Sequence, residues 1–184
     1  MEITPQEANR LDALYGYGVL DTGFEERFDR ITRIASRILD TPISLITLVD
    51  KDRQWFKSSV GLDLRETPRN ISFCAHAIQG TEVFVVPDAS KDNLFSSNPL
   101  VTGKPDIRFY AGAPLIGHKG QAIGTLCIID RKPREGFNAE AQQVLRDLAD
   151  TVIDMLEMRL ALGRAQALKR KLITTAAQLA ELAK

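Results

Sequence analysis

The 184 residues carry 24 Lys and Arg against 24 Asp and Glu, with 44% hydrophobic and 26% charged residues. This suits one globular domain with an extension, and the balanced charge excludes a global field that would draw nucleic acid or an anionic membrane. No apolar run approaches the roughly 20 residues that cross a bilayer, and the start, MEITPQEANR, lacks the parts of a signal peptide, so a cytoplasmic chain is expected.

Thr4-Pro5-Gln6-Glu7 is a capping box with proline at the first helical position, and predicts a helix from Pro5 to about Tyr15, ending at Gly16. Thr22-Gly23-Phe24-Glu25 is a second capping box. After it Phe24, Phe28, Ile31, Ala35 and Ile38 form one face of an amphipathic helix, with Glu26 and Arg30 paired on the wet side. Thr41-Pro42 ends that helix. Ile43–Val49 follows as a strand, with Ile43, Leu45 and Val49 on one face and Ile46 and Leu48 on the other, the pattern of a sheet covered on both sides. Arg53–Val60 is a more polar strand suited to an edge, with Trp55 and Phe56 on opposite faces.

Gly61–Ser72 reads as a loop, Phe73–Ile78 as a helical turn stopped by Gly80, and Val83–Val86 as a short strand. From Ala89 to Gly103 the chain is loop-like with one or two helical turns, the length at which loops tend to serve as lids or to be disordered. Phe109–Ile116 and Ala122–Ile129 are strands joined by His118-Lys119-Gly120-Gln121. Gly112 and Gly124 lie inside them, where glycine marks a bulge or the close approach of another group.

Asn138 is the N-cap of a last helix that meets no strong breaker before Lys184. Such a helix would be about 70 Å long, more than twice the width of the domain, so its second half has nothing of its own to pack against. Leu145, Leu148, Val152 and Met155 have heptad spacing. Leu168, Leu172, Leu179 and Leu182 have it too, shifted by one residue, with Gly163 between the sets to rotate the seam or bend the helix. The division expected is a domain over 1–160 and a helical extension over 161–184, a possible coiled-coil linker.

These blocks resemble a family. Phe109-Tyr110-Ala111-Gly112-Ala113-Pro114-Leu115, then Gly124-Thr125-Leu126-Cys127-Ile128-Ile129-Asp130, is similar to the last two central strands of a GAF domain. Leu20-Asp21-Thr22, Ile46–Asp50, Gln54-Trp55-Phe56, Ile71–Ile78, Phe95 and Asn98–Val101 resemble a bacterial subtype found beside sensor kinases and diguanylate cyclases. The resemblance implies an α+β fold: a central antiparallel sheet of five or six strands, helices on both faces and a long C-terminal helix. The first two helices and the start of the last would cover one face. Arg65–Gly80 and Ala89–Gly103 would cover the other and enclose a pocket. In relatives that pocket holds cyclic nucleotides, bilins, haem or other small molecules, so the fold names no ligand or cofactor. The acidic pair of cyclic-nucleotide members is replaced by Ala141-Gln142, and Cys74-Ala75-His76 is not the bilin-attachment pattern.

The expected ligand-binding residues are Phe73, Cys74, His76, Asp88, Asn98, Arg108 and Tyr110. Arg108 suits an anionic ligand, or equally a pin on the covering loop through Asp88 or Asp92. Cys74-x-His76 lacks the further ligands a zinc site needs, and residues two apart on a helix point in different directions. Cys127 reads as core filler, so Cys74 lacks a resolving partner. No nucleophile elbow, phosphate-binding loop or paired metal ligands appear. The expectation is therefore a sensory and regulatory domain that is not an enzyme. It would bind an unidentified small ligand, form a homodimer through its last helix and act on a kinase or cyclase, with no nucleic acid or membrane partner. Two alternatives stand beside it: a small redox enzyme like the free methionine sulfoxide reductases, using Cys74, and a dimerising scaffold whose pocket is filled by its own side chains.

Overall fold

Seven consecutive buried residues make β1 (Ile43–Val49) the middle of the molecule. The structure is a computed structural model and describes residues 3–182. Ile46 and Leu48 enter one apolar layer, and Ile43, Leu45 and Val49 the other. β1 pairs with β2 (Arg53–Val60) on one side and β6 (Ala122–Asp130) on the other. Outside these lie β3 (Glu66–Pro68), and β5 (Phe109–Ile116) followed by β4 (Phe84–Val86), giving the order β3-β2-β1-β6-β5-β4. All neighbours are antiparallel.

β2 is not the edge that its polar sequence suggests. The segment expected as a loop supplies β3, which pairs Trp55 with Glu66 and Gln54 with Thr67. Gln54, Lys57 and Ser58 are nevertheless buried, because each meets a partner: Gln54 accepts from the Ser72 hydroxyl, Lys57 binds Glu25, and Ser58 donates to Asp29. Buried polar groups are tolerated when each has a hydrogen-bond partner.

One face of the sheet is covered by α1 (Pro5–Gly16), α2 (Glu26–Ile38) and the first half of α5 (Ala139–Leu182), which bring Leu14, Phe28, Ile31, Leu145, Val152 and Leu156 onto it. Thr4 caps α1 by accepting from the Glu7 amide at 3.2 Å. Glu7 does not complete the box, since its carboxylate binds Arg10 and Arg69 instead. The second expected box is not formed either. α2 begins at Glu26 with no side-chain cap; Thr22 donates to the Val19 carbonyl and accepts from Lys57. Phe24, expected on the buried face, is 66% exposed and lies under the Arg65 guanidinium, 3.9 Å from it.

The other face is covered by the chain from β3 to β5, which includes α3 (Phe73–Ala77) and α4 (Pro99–Thr102). α5 is one helix of 44 residues, about 66 Å long at roughly 1.5 Å per residue, and it runs through Gly163 without interruption. Asn138 caps it, accepting from the Ala141 amide at 2.9 Å. The first heptad set belongs to the domain: Leu145 and Val152 are buried, and Leu148 and Met155 are packed against the same core. From Ala161 onward every side chain described is exposed, including Leu168 and Leu172. The side chains of Leu179 and Leu182, and all of Ala183 and Lys184, lie outside the described residues.

Candidate functional site

The covered second face carries a compact polar cluster set by the two glycines inside the strands. A Cβ on Gly124 would stand 1.9 Å from the Thr47 carbonyl oxygen, so β1 and β6 approach closely there, and the hydroxyls of the paired residues Thr47 and Thr125 meet at 3.1 Å. A Cβ on Gly112 would stand 2.2 Å from the Tyr110 hydroxyl. Glycine leaves that space to the phenol, which donates to Cys74 Sγ at 3.2 Å. Gly112 is also the register partner of Cys127, and Cys74 and Cys127 Sγ lie 3.9 Å apart.

Both thiols are free and buried, and their environments differ. Burial works to raise the Cys74 thiol, but donors at Cys127, Thr125, Thr47 and Tyr110 outweigh it and bring it below the ordinary thiol value. Burial, then the hydrogen bond and charge of Cys74, push Cys127 up. Tyr110 is raised by burial and by both neighbouring sulfurs.

Cys74 and Tyr110 also line a partly open cavity of about 30 Å³, together with Gln54, Thr67, Phe73 and apolar residues. That is room for a water-sized guest, and is about a tenth of the smallest ordinary small-molecule pocket. The rest of the expected pocket is filled by aromatic rings. Phe73 stacks on Phe95 with centroids 3.9 Å apart, and Tyr110 tilts against Phe73 at 5.2 Å.

Of the seven residues expected to bind ligand, Phe73, Cys74 and Tyr110 come together at this cavity. His76 is exposed and edge-on to Phe95, facing away from Cys74. Asp88 closes a turn, accepting from the Ser90 amide and hydroxyl. Asn98 caps α4 through the Leu100 amide and donates to the Ile71 carbonyl, joining the two covering segments. Arg108 pins the covering loop, but through the carbonyls of Val101 and Ile107 rather than Asp88 or Asp92. Among the described residues no group of three or more His, Cys, Asp and Glu is placed to hold a metal ion.

Cys127 was not expected at the site, and neither were Thr47, Thr125, Gln54 and Thr67. Period-two alternation places Cys127 on the covered face, but no local signal says that α3 will set Cys74 opposite it. The reading of Cys74 as a thiol without a nearby partner is corrected by that contact.

A six-stranded antiparallel sheet covered by helices on one face and by the chain with α3 and α4 on the other defines an α+β domain. The sequence profile of the GAF domain matches residues 23–153, and the chain belongs to the GAF domain family. It is similar to the GAF domain of an Acinetobacter phosphoenolpyruvate-protein phosphotransferase (TM-score 0.61, 17% identity, 89% of this chain and 99% of that one). It is also similar to a type II free methionine-R-sulfoxide reductase from Thermoplasma acidophilum (TM-score 0.59, 14% identity, 72% and 92%). At these identities the likeness is one of fold.

A cyclic di-GMP phosphodiesterase of Pseudomonas aeruginosa is 53% identical over 117 residues, which are 64% of this chain and 20% of that protein. The chain thus spans about a fifth of the length of this relative. The expectation of a protein that is not an enzyme is overturned by this likeness. It rested on motifs missing from the chain and on fold, and fold does not decide activity. No helix among the described residues is long and apolar enough to cross a membrane.

Proposed function

We propose that this chain is the GAF regulatory unit of a cyclic di-GMP phosphodiesterase. The observation that carries this reading is the 53% identity over 117 residues with the Pseudomonas aeruginosa enzyme. The chain's own geometry supplies the means of regulation. Residues 1–160 are the sensing body, and 161–184 an extension whose described side chains all lie open. Met158, Ala161, Ala165, Leu168 and Leu172 run along that helix at spacings of three and four and are exposed, the seam that a parallel pairing with a second copy would cover. The state of the body passes along α5.

The cavity under the cover has room only for a water-sized guest, because the rings of Phe73, Phe95 and Tyr110 occupy the place of a larger ligand. A nucleotide would have to displace that stack.

The test is a transplant. The matching segment of this chain replaces its counterpart in the Pseudomonas enzyme, and hydrolysis of cyclic di-GMP is followed. Activity within a few-fold of the parent is expected. A folded chimera with background hydrolysis refutes the assignment.

A further inference from the structure

We propose that Cys74 and Cys127 are a peroxide-responsive dithiol: hydrogen peroxide admitted to the cavity oxidises Cys74, and Cys127 then closes a disulfide between α3 and β6. The thiol chemistry stands apart from the phosphodiesterase reading. Only its use as the input of the regulatory unit rests on that reading.

Three observations converge. The first is the contact itself, two sulfurs 3.9 Å apart on different elements, one in a five-residue helix of the cover and one in a central strand. The second is a guest site of the right size, mostly apolar with a few polar groups beside the thiol. The cavity of about 30 Å³ touches Cys74, and its wall includes Thr67 and Gln54. The Thr67 hydroxyl is buried and has no hydrogen-bond partner, so a small polar guest would satisfy it. The third is a route. An outer cleft of about 500 Å³ shares Leu62, Leu64 and Pro105 with the inner cavity, and Leu64 is 45% exposed. Entry past these shared side chains would suit a molecule the size of water or hydrogen peroxide better than a bulky oxidant.

The chemistry balances with that oxidant alone. The Cys74 sulfur attacks one peroxide oxygen, the O–O bond breaks, and the second oxygen leaves with the thiol's proton as water. Cys74 is then a sulfenic acid. The Cys127 sulfur attacks it, the S–S bond forms, the S–O bond breaks, and the hydroxyl leaves with the Cys127 proton as water. Two thiols are oxidised and one peroxide is reduced to two waters. Tyr110 favours Cys74 as the attacking sulfur, because its hydroxyl donates to that sulfur at 3.2 Å. Bond formation requires α3 to shift toward the sheet. Phe73, beside Cys74, would carry the shift to Phe95 through their stack, and so to the second covering segment.

The experiment exposes the reduced chain to hydrogen peroxide, quenches under denaturing conditions with an alkylating agent, and maps peptides by mass. A peptide joining Cys74 to Cys127, lost on treatment with a dithiol, is the expected result. In Cys127→Ser, a dione probe should trap a sulfenic acid at Cys74. Tyr110→Phe should slow oxidation about tenfold, and Leu64→Trp should slow it without changing the denaturation midpoint. Full alkylation of both thiols after an exposure that oxidises a small free thiol overturns the proposal. So does oxidation of Cys74 with no joined peptide, or a rate that rises in step with global unfolding.

Discussion

Arg159 donates to the carboxylate of Glu25 at 2.5 Å, closing a gap of 134 residues in the chain. It stands two residues before the exposed stretch of α5 begins. The same carboxylate accepts from Lys57 at 2.8 Å, whose side chain is wholly buried, and binds Arg27. Tyr17 ties the helix a second time through Glu157. The segment before α2 is therefore held to α5 by charge as well as by packing.

Glu25→Gln leaves Lys57 buried without its counter-charge. Breaking such a pair costs about 3–5 kcal/mol, and a fall of that size in unfolding free energy is expected from urea titration. Lys57→Met removes the buried charge itself and leaves Glu25 paired with Arg27 and Arg159, so it should cost clearly less, because an apolar replacement needs no counter-ion.

Acid should weaken the fold over a defined range. Hydrogen bonding from Arg10, opposed by burial and aided by Arg69, lowers Glu7 from 4.5 to about 2. Burial opposes the fall at Glu25, but hydrogen bonds from Lys57 and Arg27 and the charges of Lys57 and Arg159 bring it from 4.5 to about 2 as well. Both folded-state values lie below the unfolded ones, so their stabilisation is complete above about pH 4.5 and is lost as pH falls toward 2. Urea midpoints at pH 6, 4 and 3 should fall progressively. The double variant Glu7→Gln, Glu25→Gln should show a much flatter profile.

Gly124→Ala sets a Cβ 1.9 Å from the Thr47 carbonyl oxygen in the middle of the sheet. Backbone faces backbone there, so neither can yield cheaply. A loss of about 3 kcal/mol or more is expected in thermal or urea melts, in the upper range of single substitutions. Gly112→Ala meets the Tyr110 hydroxyl instead. It should pull the phenol from Cys74 and slow the thiol's reaction with peroxide.

Leu168→Glu with Leu172→Glu places two charges on the exposed stretch of α5, where the native side chains are 60% and 63% exposed. Neither touches the core, so the melting temperature of the body should stay within a degree or two of the parent at matched monomer concentration. Sedimentation at micromolar concentration should show a dimer for the parent and a monomer for the variant. A parent that is already monomeric removes the pairing from the functional reading.

Periodic and backbone features could be read along the chain because their causes are local. The two-faced alternation of Ile43–Val49, the Asn138 cap, and Gly112 and Gly124 as points of close approach all follow from neighbours in sequence and from where a Cβ can fit. The sheet between two covers followed from these blocks and from the family they resemble. The filled pocket and the edge of the sheet did not, since they depend on which distant side chains meet. Gln54, Lys57 and Ser58 look like an edge strand until Ser72, Glu25 and Asp29 arrive to satisfy them. Thr22 and Glu25 spell a capping box, yet Lys57 takes both. Phe95 closes the pocket only because Asn98 joins the segment that carries it to the one before α3. Cys74 and Cys127, 53 residues apart, become a pair only when α3 is laid on β6. Alternation, caps and glycines are properties of the chain, whereas the partner of a buried polar atom is chosen by packing.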